Sequence, residues 1–460
     1  MRQYNYFLSR FFLTQIYGRQ QEKCAFKYEI NPFLHLIFYR MKVSKLLIAL
    51  FAVAAMLSCS NKEIDPPTGH IDDNNVHPSV PVSQVSLNKY KTTLFKGESI
   101  NLIPYISPED AEHKKVIWKS SNKTIATVDE SGKVTAVTAG NAIITATSED
   151  QNKTATCNIV VTDTYNILFI GNSFTQDAIE NHFLSFITTA GLKDKINIHW
   201  MHLGGRTMAQ HSAAYISGSA DYYYNIPNYN TLKWTNKGLT PLPNTAKAYE
   251  WNLVTIQEHT GNKDAWEWNE YHKDNIESLI KNITNDQKGA PAFMYVMAVA
   301  YGDPAFPDIQ SYNNKQTVLQ KNFGSDQTLM YNTIVTRAKK VMSETSVDGV
   351  IATGTMLQNL RTSSVNNKTS TLLPRADLTR DSYHMDKGIS RYGAACTFFE
   401  SIFTPIFKVK VPAQYIDPDK SVSLTVDYRT PVTAENVDIA LKAARNAIVK
   451  PFELTDMSNF

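Results

Sequence analysis

Apolar and polar positions obey two different rules along this chain. From about residue 82 to 162 they alternate. Runs such as Val85-Ser86-Leu87, Val116-Ile117-Trp118, Lys133-Val134-Thr135-Ala136-Val137 and Ala155-Thr156-Cys157-Asn158-Ile159-Val160-Val161 turn every second residue to one face. Gly, Ser, Asn and Asp separate them. Period-two runs at such close spacing predict a small all-β antiparallel sandwich. From about 163 to 455 the rule changes. Residues 165–170 form a nearly continuous apolar run, as a parallel strand buried on both faces requires. Similar runs recur at 196–201, 253–256, 292–297 and 349–352, and helical patterns lie between them, among them 177–190, 271–283 and 329–342. Strands alternating with helices predict an α/β fold, here a doubly wound five-stranded parallel sheet. Ligand sites in such sheets lie beyond the carboxyl ends of the strands, so the turns after the strands are where chemistry is expected.

A third pattern precedes both. Lys42 and Lys45 introduce an apolar run at 46–57, the arrangement of a secretory signal over 41–58. The run is shorter than the roughly 20 residues of a membrane-spanning helix. It ends at Leu57-Ser58-Cys59, which resembles a bacterial lipobox. That resemblance implies cleavage before Cys59, diacylglycerol on its thiol and a membrane anchor. The expected location is the cell envelope, at the outer membrane or cell surface, facing periplasm or exterior. An uncleaved signal anchor, or a cut at a nearby small residue, is the other reading of the same run. Met41 fits the initiator role, so residues 1–40 read as an upstream extension. Residues 59–81, with Pro66, Pro67, Pro78 and Pro81, read as a flexible tether.

Composition narrows the function classes. With 43% apolar and 19% charged residues in a chain of 460, neither a disordered protein nor a polytopic membrane protein fits. Forty-six basic against 43 acidic residues leave a formal charge of +3, which gives no basis for a nucleic-acid partner. Cys24, Cys59, Cys157 and Cys396 are too scattered for a zinc ribbon or a redox pair. The 23 Tyr and 6 Trp suit contact with sugars, although core packing accounts for most aromatics in most proteins.

In the β module, Trp118-Lys119-Ser120-Ser121-Asn122, then 126–129, 132–134 and Gly140, closely resemble a bacterial immunoglobulin-like domain of invasin type. The resemblance implies a spacer or adhesive module with Trp118 between its sheets.

In the larger module, the turn after the first strand reads Gly171-Asn172-Ser173-Phe174-Thr175. A serine on a tight strand-to-helix turn is pushed into the crevice, with its NH at a helix start. Gly-Asn-Ser is also ordinary turn chemistry. Gly204-Gly205 follows the second strand, where a glycine pair permits close backbone approach, and Gln257-Glu258-His259 follows the third. Asp381 and His384 lie three apart before a helical stretch. This spacing lets the carboxylate hold one imidazole nitrogen and leave the other as a base. A capping aspartate beside an exposed histidine has the same spacing.

Ser173, Gly205, Gln257, Asp381 and His384 occur in the order of the SGNH (GDSL-like) hydrolase superfamily. Residues 167–178, 204–211, 355–361 and 378–395 look like an uncharacterised branch of it found in secreted bacterial lipoproteins. The resemblance implies an SGNH or flavodoxin-like fold and a Ser173-His384-Asp381 triad. It also implies oxyanion donors at Ser173, Gly205 and Gln257, with no metal and no cofactor. Asn172 stands where the family usually has Asp. Gln257 stands where it usually has Asn, which leaves the third donor the least secure, with Glu258 and His259 as neighbours able to meet substrate. The implied activity is hydrolysis of esters, foremost acetyl groups, on extracellular carbohydrate. The 222–247 insertion is expected to be a substrate loop at the crevice mouth. The competing expectation is a disabled site in a glycan-binding or adhesive surface lipoprotein.

Overall fold

The computed structural model of the chain describes residues 79–259, 267–306, 313–366, 377–413 and 430–460. The extension 1–40, the signal 41–58, Cys59 and all but the last residues of the tether 59–81 lie outside the described residues.

The first module holds β1 (Gln84–Leu87), β2 (Lys91–Phe95), β3 (Ser99–Asn101), β4 (Pro104–Ser107), β5 (Val116–Ser120), β6 (Ala126–Val128), β7 (Lys133–Ala136), β8 (Gly140–Ser148) and β9 (Thr154–Thr162). Sheets β2-β9-β8-β5 and β3-β7-β6 enclose an apolar core of Leu94, Leu102, Val134, Ile144 and Ile159. Trp118 packs on this core and on a second cluster under β1. Gly132, at φ +83°, leaves it room, since a Cβ there would sit 2.7 Å from the indole. The alternating pattern marked every strand except β2 and β4. In β2 the buried residues are consecutive, Thr92-Thr93-Leu94, because this strand is covered on both sides.

What covers the far side of β2 is the second module. The backbone NH of Thr93 donates to the carbonyl of Ala290 at 3.1 Å. Lys91 Nζ donates to the carbonyls of Thr284 and Gln287 at 2.6 and 2.9 Å. Phe95, Tyr165 and Phe407 meet edge to face, with centroids 5.2 to 6.0 Å apart. Only Asp163 and Thr164 separate β9 from the next strand. The immunoglobulin-like module is therefore docked, not strung on a linker.

The second module is built on β10 (Tyr165–Gly171), β11 (Ile196–His202), β12 (Tyr222–Asn228), β13 (Lys233–Thr240), β14 (Leu253–Gln257), β15 (Ala292–Val296) and β16 (Gly349–Ile351). They form one seven-stranded sheet in the order β13-β12-β11-β10-β14-β15-β16. The strands from β11 to β16 in that order pair in parallel, and the β12-β13 hairpin extends the β11 edge antiparallel. The five strands expected are the five that pair in parallel, and the hairpin brings the whole sheet to seven. The difference is the 222–247 stretch, which is a sheet-edge hairpin followed by a helix rather than a substrate loop. Pro227, Gly238 and the mostly exposed β13 hide its period, as is usual for an edge strand.

The helices are α1 (Ser173–Ile179), α2 (Phe183–Thr189), α3 (Met208–Ser217), α4 (Leu242–Ala248), α5 (Glu270–Asn285), α6 (Asn313–Phe323), α7 (Gln327–Glu344), α8 (Thr353–Arg361), α9 (Ile389–Phe407) and α10 (Val437–Val449). The single helix expected at 177–190 is two, because α1 starts at the serine and ends at Ile179. α9 packs on α1, α2, α8 and α10, while α3 packs on α4 and α5. Among the described residues no helix is long and apolar enough to cross a membrane. The parallel order reverses between β10 and β14, and a crevice opens at such a reversal. The immunoglobulin-like module touches Tyr165, Asn252 and Ala290, at the amino ends of these strands, and so covers the end opposite the crevice.

Candidate active site

The strand β10 delivers its chain to the crevice at Gly171. A Cβ there would lie 2.1 Å from Thr175 Oγ1, so only glycine lets the helix start this close to the strand. Asn172 caps α1, its Oδ1 accepting from the NH of Phe174 at 3.0 Å. Asn172 thus serves as the N-cap of α1. Its Nδ2 lies 3.4 Å from the carbonyl of Arg206, to which the NH of His259 also donates at 3.1 Å. One carbonyl ties the turns after β10, β11 and β14 together.

Ser173 is the first residue of α1. Its Oγ lies 2.8 Å from His384 Nε2, across 211 residues of chain. His384 Nδ1 lies 2.7 Å from Asp381 Oδ2, and the NH of His384 donates to Asp381 Oδ1 at 2.9 Å. The carboxylate thus fixes both ring and backbone of His384. With Nδ1–H held by Asp381, Nε2 is left to accept the proton of Ser173. Burial pushes the Asp381 carboxyl up, but the hydrogen bonds and charge of His384 outweigh it and hold it below the usual range. The Tyr383 ring lies 3.7 Å, centroid to centroid, from the His384 ring, and Phe174 lies 5.8 Å from it. Between Asp381 and Tyr383, the fully buried Ser382 takes φ +74°, left-handed backbone that is costly for a non-glycine residue. Its carbonyl accepts from the NH of Gly302 at 2.6 Å, which helps to hold that conformation.

The other expected residues are placed as follows. Gly205, at φ +68°, lies in the turn after β11 with open space where a Cβ would stand. Gln257 ends β14 and is fully buried; its Oε1 accepts from Thr175 Oγ1 at 2.5 Å. Among the described residues nothing bonds its buried Nε2, an uncommitted donor beside the turn that carries Ser173. Glu258, considered as a substrate contact, is instead buried in an ion pair with Arg337. The aromatic residues read as sugar platforms are mostly packed. Tyr222 bonds His211, Tyr224 bonds His199, Trp251 is fully buried, and Trp234 Nε1 donates to the carbonyl of Ile179.

Sequence reasoning missed Asp177, Arg380 and Arg391. Asp177 is fully buried one turn beyond Ser173 and accepts from Arg380 at 2.7 Å, from Arg391 at 2.5 Å and from the NH of Met385 at 2.9 Å. Its neighbours Thr175, Gln176 and Ala178 gave no local sign of this burial. Asp386 was also missed. Burial pushes its carboxyl up to about 7, against hydrogen bonds from Gly388, Ser390 and Thr430. The unfolded chain releases this proton near pH 3.9, roughly the ordinary aspartate value, so at intermediate pH only the folded protein keeps it. The resulting stability is complete below about pH 4 and is lost as pH rises through about 7. Asp386→Asn keeps an acceptor for the NH of Gly388 and cannot ionise. Urea midpoints at pH 5 and 8 should therefore differ less in the variant than in the parent. An equal drop in both would remove this role from Asp386.

Residues 166–427 match the family described as a domain of unknown function, DUF4886, and the chain belongs to that family. Residues 81–159 match the bacterial Ig-like domain, group 2. The structure of a DUF4886 family protein from Bacteroides uniformis aligns at 25% identity and a TM-score of 0.50, covering 64% of this chain and 98% of that one. An acetylxylan esterase from Geobacillus stearothermophilus, solved as a catalytic mutant, aligns at 12% identity and a TM-score of 0.32, covering 51% and 93%. An uncharacterized protein of Clostridium acetobutylicum is 46% identical over 80 residues. That match takes in 17% of this chain and 20% of the relative, so the chain spans about a fifth of the relative's length.

Proposed function

We propose that this protein is a serine ester hydrolase of SGNH type, with Ser173 as nucleophile, His384 as general base and Asp381 as the group that orients it. The observation that supports this is the unbroken chain from Ser173 Oγ to His384 Nε2 at 2.8 Å and from His384 Nδ1 to Asp381 at 2.7 Å. Ser173 Oγ attacks the ester carbonyl carbon while its proton passes to His384 Nε2. The NH groups of Ser173 and Gly205, with Gln257 Nε2, hold the developing oxyanion. His384 then gives the proton to the departing alkoxide, leaving Ser173 acylated. Water, deprotonated by the same imidazole, attacks the acyl carbon and frees the acid and the serine.

The substrate class we propose is acylated, foremost acetylated, extracellular polysaccharide. The chain is proposed to be held at the cell envelope by lipid on Cys59. The test is purified protein with p-nitrophenyl acetate, a fluorophosphonate probe and a panel of acetylated polysaccharides. Release of p-nitrophenol and acetate, with the probe mapped to Ser173, is expected. Neither turnover nor labelling would end the hydrolase reading.

A further inference from the structure

Ser173 and His384 come from segments 211 residues apart, so something must hold those segments in register. The triad does not do this alone: the Asp381 side chain is 31% exposed and all its contacts to His384 lie within its own segment. The cross-link lies one helical turn from the nucleophile. Asp177 Oδ1 accepts from Arg380 Nη1 at 2.7 Å and from Arg391 Nη2 at 2.5 Å. Its Oδ2 accepts from the NH of Met385 at 2.9 Å. Arg380 and Met385 bracket Asp381 and His384, so both ends of the segment are tied to one carboxylate. Arg380 also donates to the carbonyl of Met385 at 2.6 Å, and its NH to that of His384 at 3.0 Å, closing the segment on itself. Arg391 reaches on to Glu180, at the end of α1, at 2.6 Å.

We infer that Asp177 is a positioning residue, whose carboxylate clasps the segment bearing Asp381 and His384 to the helix bearing Ser173. The inference rests on the hydrolase reading above. An amide cannot replace this group, because in either orientation its NH2 would face a donor, the Arg380 and Arg391 guanidinium groups on one side or the NH of Met385 on the other. Without the clasp, His384 loses its fixed distance from Ser173 while the rest of the crevice keeps its shape. The change therefore falls on kcat and not on KM.

Asp177→Asn is expected to lower kcat for p-nitrophenyl acetate by about 100-fold, the cost of a misplacement near 1 Å, with KM within about twofold. In a His384→Ala background the same substitution should change the residual kcat by less than about twofold, since two residues acting through one step do not add. An equal fold-loss in both backgrounds would make Asp177 a stabilising residue only and overturn the inference. So would Asp177→Asn with kcat within twofold of the parent. Should circular dichroism show Asp177→Asn unfolded, Arg380→Gln takes its place with the same two readouts, because it cuts one arm and leaves the Arg391 pair intact. A parent protein that neither hydrolyses nor labels would fail the hydrolase reading itself, and the clasp with it.

Discussion

Ser173→Ala is expected to lower kcat for ester hydrolysis by about 10⁵- to 10⁶-fold, the scale at which a nucleophile acting within a triad fails. Only the loss of His384, the base that acts with it as one unit, should cost as much activity. The reason is that nothing replaces the hydroxyl. His384 would face a methyl group, and only the oxyanion donors and substrate binding would remain. The variant should fold as the parent does, since alanine is the best helix former, Asn172 still caps α1, and among the described residues Ser173 Oγ has its bond to His384 alone to lose. Asp381→Asn should cost less, about 10⁴-fold, because the ring keeps a partner but the wrong tautomer is favoured. The checks are steady-state kinetics on p-nitrophenyl acetate and labelling by a fluorophosphonate. Full activity in Ser173→Ala, or probe on another residue, would sink the triad whatever the distances.

The parts of this molecule that could be read from its sequence are those whose signal is local. The parallel strands announced themselves because both their faces are buried, so 165–170 is apolar without a break and β10 is buried along its whole length. Ser173, Asp381 and His384 could be singled out as candidates because each sits on a turn whose chemistry is written in three or four neighbouring residues. What stayed hidden is set by contacts between distant residues. β2 lost its alternation because a second module covers its far face. The hairpin at 222–240 looked like an insertion because Pro227 in β12 and Gly238 in the mostly exposed edge strand β13 break its alternation. The Asp177 clasp needs Arg380 and Arg391, more than 200 positions away, and no local pattern joins them. The same holds for the partner of Glu258.

That partner carries the largest stability effect expected here. Arg337→Met should destabilise the protein by about 3–5 kcal/mol, the cost of leaving a buried charge without its counter-ion. Arg337 and Glu258 have side chains only 1% and 2% exposed, and they bond directly to one another. Arg337 also donates to the carbonyl of Glu267 and lies 5.5 Å over the Trp268 ring. Methionine fills much of the volume but removes the cation paired with a carboxylate that stays in the protein interior. The cause is the stranded charge, not the lost volume, and two measurements separate these. In Glu258→Gln combined with Arg337→Met the charge is gone, so most of the loss in urea midpoint should return. In Arg337→Met alone the deficit should shrink as pH falls, because a protonated Glu258 no longer buries a charge. A double variant as unstable as the single one would place the cost in packing. Glu258 follows Gln257 directly at the end of β14, so the same ion pair sets the strand end from which the proposed third oxyanion donor projects. Arg337→Met measured well below its unfolding midpoint should therefore also lose kcat, by a factor no larger than that of Gln257→Ala.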